Sequence, residues 1–232
     1  MSRSGCEATR HLQTSPFETL IEVARSRIFP MILIGITGGI ACGKTEVSKV
    51  FRKKGAVVLS GDRIGKEVVE KNREILKELV RTFGHEILNK KGGLNRRRLG
   101  KIAFASQKPK EKLNRIVHPY LLKKLREKIE GLGKKHYGGM VVIDAALIVE
   151  WGLQRKLDYL IFVQSKREDR IRRLREQKGY SRKEAEERIK SQLPETTKRK
   201  LADFIIKNDK GLDELQERAN RVWKKIVSKC DE

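Results

Sequence analysis

Cysteine is scarce in this chain: 232 residues contain three, Cys6, Cys42 and Cys230. They form no Cys-x-x-Cys or Cys/His ligand pattern, which argues against a structural zinc and a disulfide framework and fits a reducing compartment. Long apolar runs are also missing. None approaches the roughly 18 residues needed to cross a bilayer, so no membrane partner is expected. Residues 1–30 contain Glu7, Glu18 and Glu22 and no continuous apolar stretch, which excludes a secretory signal. They read as an N-terminal extension. An amphipathic helix over residues 17–28 is one reading of it, and a natural start at Met31 is the favoured one. These features together point to the cytoplasm. Aromatic residues make up only 6%, few for stacking nucleic-acid bases. Acidic residues are outnumbered: 54 Lys and Arg against 30 Asp and Glu give a net charge of +24. Such an excess fits a polyanionic partner, and it equally fits a solvated, highly charged surface.

What is present is a regular alternation. Short apolar runs alternate with longer amphipathic stretches, without repeats, as βα units of a parallel sheet do. Strands are expected at residues 32–36, 56–59, 141–145, 159–163 and 204–206, making a five-stranded sheet with helices on both sides. Helices are expected at 45–54, 96–105 and 110–117, helical material over 62–83, and another helix opened by Pro119, since proline suits a first helical turn. Ser181-x-x-Glu184 reads as a capping box, and residues 213–228 as a closing helix.

The strongest motif is Gly38-Gly39-Ile40-Ala41-Cys42-Gly43-Lys44-Thr45, between an apolar strand and an amphipathic helix. It fits G-x-x-x-x-G-K-[ST], the phosphate loop or P-loop. Gly38 and Gly43 let consecutive N–H groups wrap a phosphate, and the helix start turns its positive end to the anion. Lys44 would reach the β- and γ-phosphates of ATP and Thr45 would hold Mg2+, with residues 38–45 and Glu46 as the nucleotide-binding set. Asp62 follows the second strand, where ligands bind in open α/β sheets. It could take the proton of an acceptor hydroxyl, or simply cap a helix. Asp144 ends an apolar strand and could hold Mg2+ or be a polar strand terminus. Basic residues crowd between Lys166 and Lys200. They could form a lid that neutralises the transferring phosphoryl group, or a salt-laced helix face, with Gly179 as hinge or helix end.

Motifs spread from Met31 to about Gly211 resemble the dephospho-coenzyme A kinases. They are Thr37-Gly38-Gly39-Ile40 leading into Gly43-Lys44, Asp62 before Ile64 and Val68-Val69-Glu70, and Leu94 with Arg96 and Leu99. Leu113-Asn114, His118-Pro119, Asp144 with Leu147 and Glu150, Arg173-Leu174, Gln192, Ala202-Asp203 and Asn208 continue the series. The resemblance implies transfer of the ATP γ-phosphate to the ribose 3′-hydroxyl of dephospho-coenzyme A, with both molecules as partners and no specific nucleic acid. It implies a three-layer P-loop NTPase fold over residues 31–211, with a helical substrate-binding region at 62–135, a lid at 166–195, and helix 212–232 packed on the core. Asp62 then matches the acidic residue beside the acceptor hydroxyl. Arg96 and His118 belong to the substrate region, Arg173 to the lid over the phosphates, and Asn208 to the surroundings of the nucleotide base. The chain departs from the family pattern in reading Ser60-Gly61-Asp62 for Asp-Ala-Asp and Ala146 for proline. A second lid arginine near Gln177 is also absent, with Lys178 or Arg175 as substitutes. Two rival readings are another nucleoside or nucleotide kinase and an RNA-binding ATPase or GTPase. Against the GTPase, Lys207-Asn208-Asp209-Lys210 has the wrong order for a guanine signature.

Overall fold

The computed structural model describes residues 31–135 and 137–230. Residues 1–30, the extension for which a helix over 17–28 was the less favoured reading, lie outside the described residues. Five strands form one sheet: β1 (Ile32–Gly38), β2 (Val57–Ser60), β3 (Met140–Asp144), β4 (Tyr159–Gln164) and β5 (Phe204–Lys207). All pair in parallel, as the alternating pattern predicts, and their order is β2-β3-β1-β4-β5. Parallel neighbours require crossovers, and the helices that make them bury both faces of the sheet.

Strand alternation divides the core in two. Ile34, Ile36, Val142, Ile161 and Val163 face α1 (Lys44–Lys53) and α9 (Leu212–Cys230), through Val47, Phe51, Ala219 and Ile226. Leu33, Val141, Ile143 and Leu160 face the opposite layer, built from α2 (Gly61–Lys71) and α5 (Gln107–Gly133). A third cluster joins α2, α3 (Arg73–Phe83), α4 (Arg96–Phe104) and α5 through Val69, Leu79, Leu99 and Ile116. A fourth places Ile171, Leu174 and Ala185, from α6 (Arg167–Lys178) and α7 (Arg182–Lys190), against Ile40 and Ala41. The short α8 (Glu195–Lys200) leads into β5. The Ser181–Glu184 capping box is present, and Gly179 ends α6 in the left-handed conformation, φ 65°.

The helical material expected over residues 62–83 is present as two helices, and the expectation at Pro119 is overturned. The first ends at Lys71: Asn72 has an extended backbone and its side chain caps α3 by accepting from Glu74 and Ile75. Pro119 does not open a helix but lies inside α5, which runs unbroken for 27 residues. Its exposed ring costs one backbone hydrogen bond. Burial of Ile116, Leu121, Leu125 and Ile129 along the helix outweighs that loss.

Candidate active site

The site lies at the carboxyl ends of the strands, where β1 turns into α1. Gly43 begins the helix at φ 104°, and a side chain there would meet Asn208 Nδ2 at 2.4 Å. No side chain caps α1, so its first N–H groups, which have no partner within the helix, face the loop with the positive dipole end. Ala41 adopts φ 60°, a conformation an L-residue takes at a cost, and binding loops are where such strain is found. Lys44 Nζ donates to the carbonyls of Gly38 (3.3 Å) and Gly39 (3.1 Å) across the loop. Thr45 is exposed, and Glu46 pairs with Lys49 at 2.9 Å on the outer side of the helix.

Strand order brings the two acids to this loop. β3 lies between β1 and β2, and Asp144 is in register with Ile36 on one side and Ser60 on the other. Asp144 is buried, and burial pushes its carboxyl above the usual range. The Lys44 ammonium and Ser48 hydroxyl pull it down, and the Asp62 charge raises it further. Asp62 is exposed in the first turn of α2, whose cap is Ser60: its Oγ accepts from Arg63 N at 3.3 Å. The helix-cap reading of Asp62 is therefore replaced by Ser60. A buried carboxylate, an exposed hydroxyl at a helix start and a nearby ammonium are oxygen and charge donors that suit Mg2+, which keeps much of its water, and a nucleotide triphosphate. The Ser48 hydroxyl is buried beside Asp144 and adds a further polar oxygen to this pocket.

The basic segment closes over the other side of the loop. Arg173 Nη1 donates to Ala41 O and Ser165 Oγ, both at 3.1 Å. Arg170, only 3% exposed, goes deeper: its Nε donates to Ile40 O at 2.9 Å, its Nη1 pairs with Glu195, and its guanidinium lies against Gly39. A Cβ at position 39 would sit 2.2 Å from Arg170 Nη2, so a side chain there would push the guanidinium away from Ile40 and Glu195. Gln192 Oε1 accepts from Ile40 N at 2.8 Å. A cavity of about 360 Å³ opens here, lined by Gly39, Arg167, Arg170, Lys190, Gln192 and Lys198 among others. Asn208, expected near the base, is buried and donates to Cys42 O at 2.9 Å. Its contact is thus with the loop backbone.

The remaining candidates lie away from the loop. Arg96 is exposed on α4 and donates to Lys66 O (3.0 Å) and Glu70 Oε1 (2.9 Å), tying α4 to α2. His118 packs edge-on to Trp151, ring centres 5.6 Å apart. Burial, helped by Lys110 and opposed by Glu150, lowers its pKa to about 4. Sequence reasoning singled out no role for Arg170 or Lys198. Nothing in a run of basic residues marks which of them turn inward. Gln192 and Glu150 entered only through the family resemblance.

This geometry has counterparts in known proteins. The dephospho-CoA kinase family model matches residues 32–214. Dephospho-CoA kinase of Listeria monocytogenes is 38% identical over 198 residues, spanning 84% of this chain and 96% of the relative. That of Fusobacterium nucleatum is 35% identical, over 84% and 99% respectively. Among solved structures, a Thermus thermophilus protein aligns with TM-score 0.68 and 32% identity, over 85% of this chain and 97% of the other. Dephospho-CoA kinase from Campylobacter jejuni aligns with TM-score 0.56 and 25% identity, over 84% and 97%. By family model, by relatives above one-third identity and by fold, this chain belongs to the dephospho-CoA kinase family.

Proposed function

We propose that this chain transfers the γ-phosphoryl group of ATP to the ribose 3′-hydroxyl of dephospho-coenzyme A. The observation that carries the reading is the meeting of Lys44, Asp144 and Asp62 at three adjacent strand ends. Backbone N–H groups of residues 38–45 and the start of α1 would cradle the phosphates, and Lys44 would turn from its loop carbonyls to the β- and γ-oxygens. Thr45 and Asp144 would hold Mg2+, which when bound neutralises charge on the β- and γ-oxygens. Asp62 would accept the proton of the acceptor hydroxyl as its oxygen bonds to phosphorus and ADP departs. Arg173, already at the loop edge, would supply positive charge to the transferring group. Segment 166–195 would act as the lid, and α2 to α5 as the acceptor side.

Among the described residues, no helix is long and apolar enough to cross a membrane. Cys42 is a buried thiol outside any disulfide. A reduced Cys42 supports work in the cytoplasm, where thiols stay reduced.

The deciding experiment is a coupled ADP-release assay with ATP, Mg2+ and a panel of acceptors, against a control without acceptor. ADP release that depends on dephospho-coenzyme A, with coenzyme A as product, is expected. Faster turnover of a nucleoside would reassign the acceptor, and release indifferent to acceptor would make the chain an ATPase.

A further inference from the structure

Lys198 is only 1% exposed, at the last turn of α8. A buried ammonium costs several kcal/mol unless it is paired and hydrogen-bonded. Both conditions are met: Nζ lies 2.8 Å from Glu150 Oε1 and donates to Ala146 O at 2.6 Å. Each acceptor has a second donor. Ala146 O also receives Thr37 Oγ1 (3.4 Å), from the end of β1 that leads into the phosphate loop. Glu150 Oε1 also receives Leu193 N (3.3 Å), from the connection between α7 and α8. One buried pair thus joins three pieces: the turn after Asp144, the strand before the phosphate loop, and the segment that covers the loop.

The turn it holds also supports Asp62. Gly61 packs so closely on it that a Cβ there would lie 2.8 Å from the Ala145 Cβ. A shift of residues 145–146 is therefore passed directly to the first turn of α2. Ala146, where the family pattern has proline, gives this turn no ring to stiffen it. Its carbonyl is instead fixed by two donors.

We propose that the buried Lys198–Glu150 pair positions the transfer site, holding the turn after Asp144, and through Ala145 the start of α2, in register with the phosphate loop. Neither residue contacts the reacting atoms in this account; both are positioning residues. What is positioned rests on the kinase reading above, whereas the clamp itself can be measured without turnover.

The test compares Lys198→Met, Glu150→Gln and the double variant with the native chain. It measures kcat, ATP affinity by equilibrium titration, and hydrogen exchange over residues 145–152. In Lys198→Met, kcat should fall by about tenfold to a hundredfold, the scale of a catalytic group displaced by about 1 Å. ATP affinity should stay within about threefold, since interactions lost only in the transition state lower kcat alone. Exchange over 145–152 should quicken in this variant with or without substrates, while α9 keeps its protection. The double variant, which leaves no unpaired buried charge and serves if Lys198→Met does not fold, should be no worse in kcat than the worse single. Native-like exchange over 145–152 in a folded variant would overturn the clamp. Loss of kcat and ATP affinity in equal proportion, following thermal stability, would reduce the pair to a fold-stabilising contact.

Discussion

Ser60 frees Asp62 from a structural duty. Its hydroxyl caps α2, so the Asp62 carboxylate stands exposed without a bond that the helix needs. Asp62→Asn therefore keeps the fold and removes only the charge. Steady-state kinetics should show kcat lowered by at least about a hundredfold, the lower end of general-base effects, with ATP affinity nearly unchanged. An unchanged kcat would leave Asp62 with no more than a favourable place at the helix dipole. Lys44→Ala, by contrast, should abolish detectable transfer, through loss of transition-state stabilisation worth a few kcal/mol. His118 makes a prediction about stability. Its folded pKa of about 4 lies below the ordinary 6.5, so folding favours the neutral ring. That contribution is fully present above pH 6.5 and is lost as pH falls towards 4; it amounts to roughly 2 kcal/mol once partial exposure is discounted. Urea titrations of His118→Phe, which keeps an edge contact with Trp151, should show a flatter decline between pH 6.5 and 4 than the native chain.

At the scale of elements, α5 shows how packing overrides local preference. Pro119 leaves the Arg115 carbonyl without its helical donor, yet the helix passes through it to bury residues in two clusters. Because the ring is exposed, Pro119→Ala should lose no packing and regain that hydrogen bond. A gain of about 1 kcal/mol is expected after the greater freedom of the unfolded chain is counted, visible as a higher Tm. A lower Tm would mean that the ring's stiffness matters more than the missing bond. The same element marks where sequence reading stops. Strands buried on both faces announce themselves as apolar runs, and the phosphate loop by its glycine spacing. Ser181 and Glu184 declare a cap because both partners are near in the chain. Asn72 capping a new helix inside residues 62–83 was hidden in a continuous amphipathic pattern. Lys198 and Arg170 were hidden more deeply. Their partners Glu150, Ala146, Ile40 and Glu195 come from other elements, and only the fold decides which basic side chain turns inward.

For the whole molecule, the question is what +24 does to stability. Two effects of opposite sign compete. Ion pairs such as Lys49–Glu46, Arg182–Glu168 and Arg221–Glu217 join side chains that are largely exposed, and such pairs are worth about 0–1 kcal/mol each. Against them stands the repulsion among excess cations, which is stronger in the compact chain than in the expanded unfolded one. Among the described residues, the pairs with a nearly fully buried cation, which resist screening best, are Lys198–Glu150 and Arg170–Glu195. Screening should therefore relieve more repulsion than it removes attraction. Raising NaCl from about 10 mM to about 300 mM, which shortens the Debye length from about 30 Å to about 6 Å, should raise Tm by several degrees. Chloride is the right anion, because phosphate or sulfate could stabilise the fold by occupying the phosphate loop. A rise in NaCl would identify the surplus charge as a standing cost that a bound polyanion could relieve. A fall would mean that the surface pairs act as a network and that the charge is already balanced within the chain.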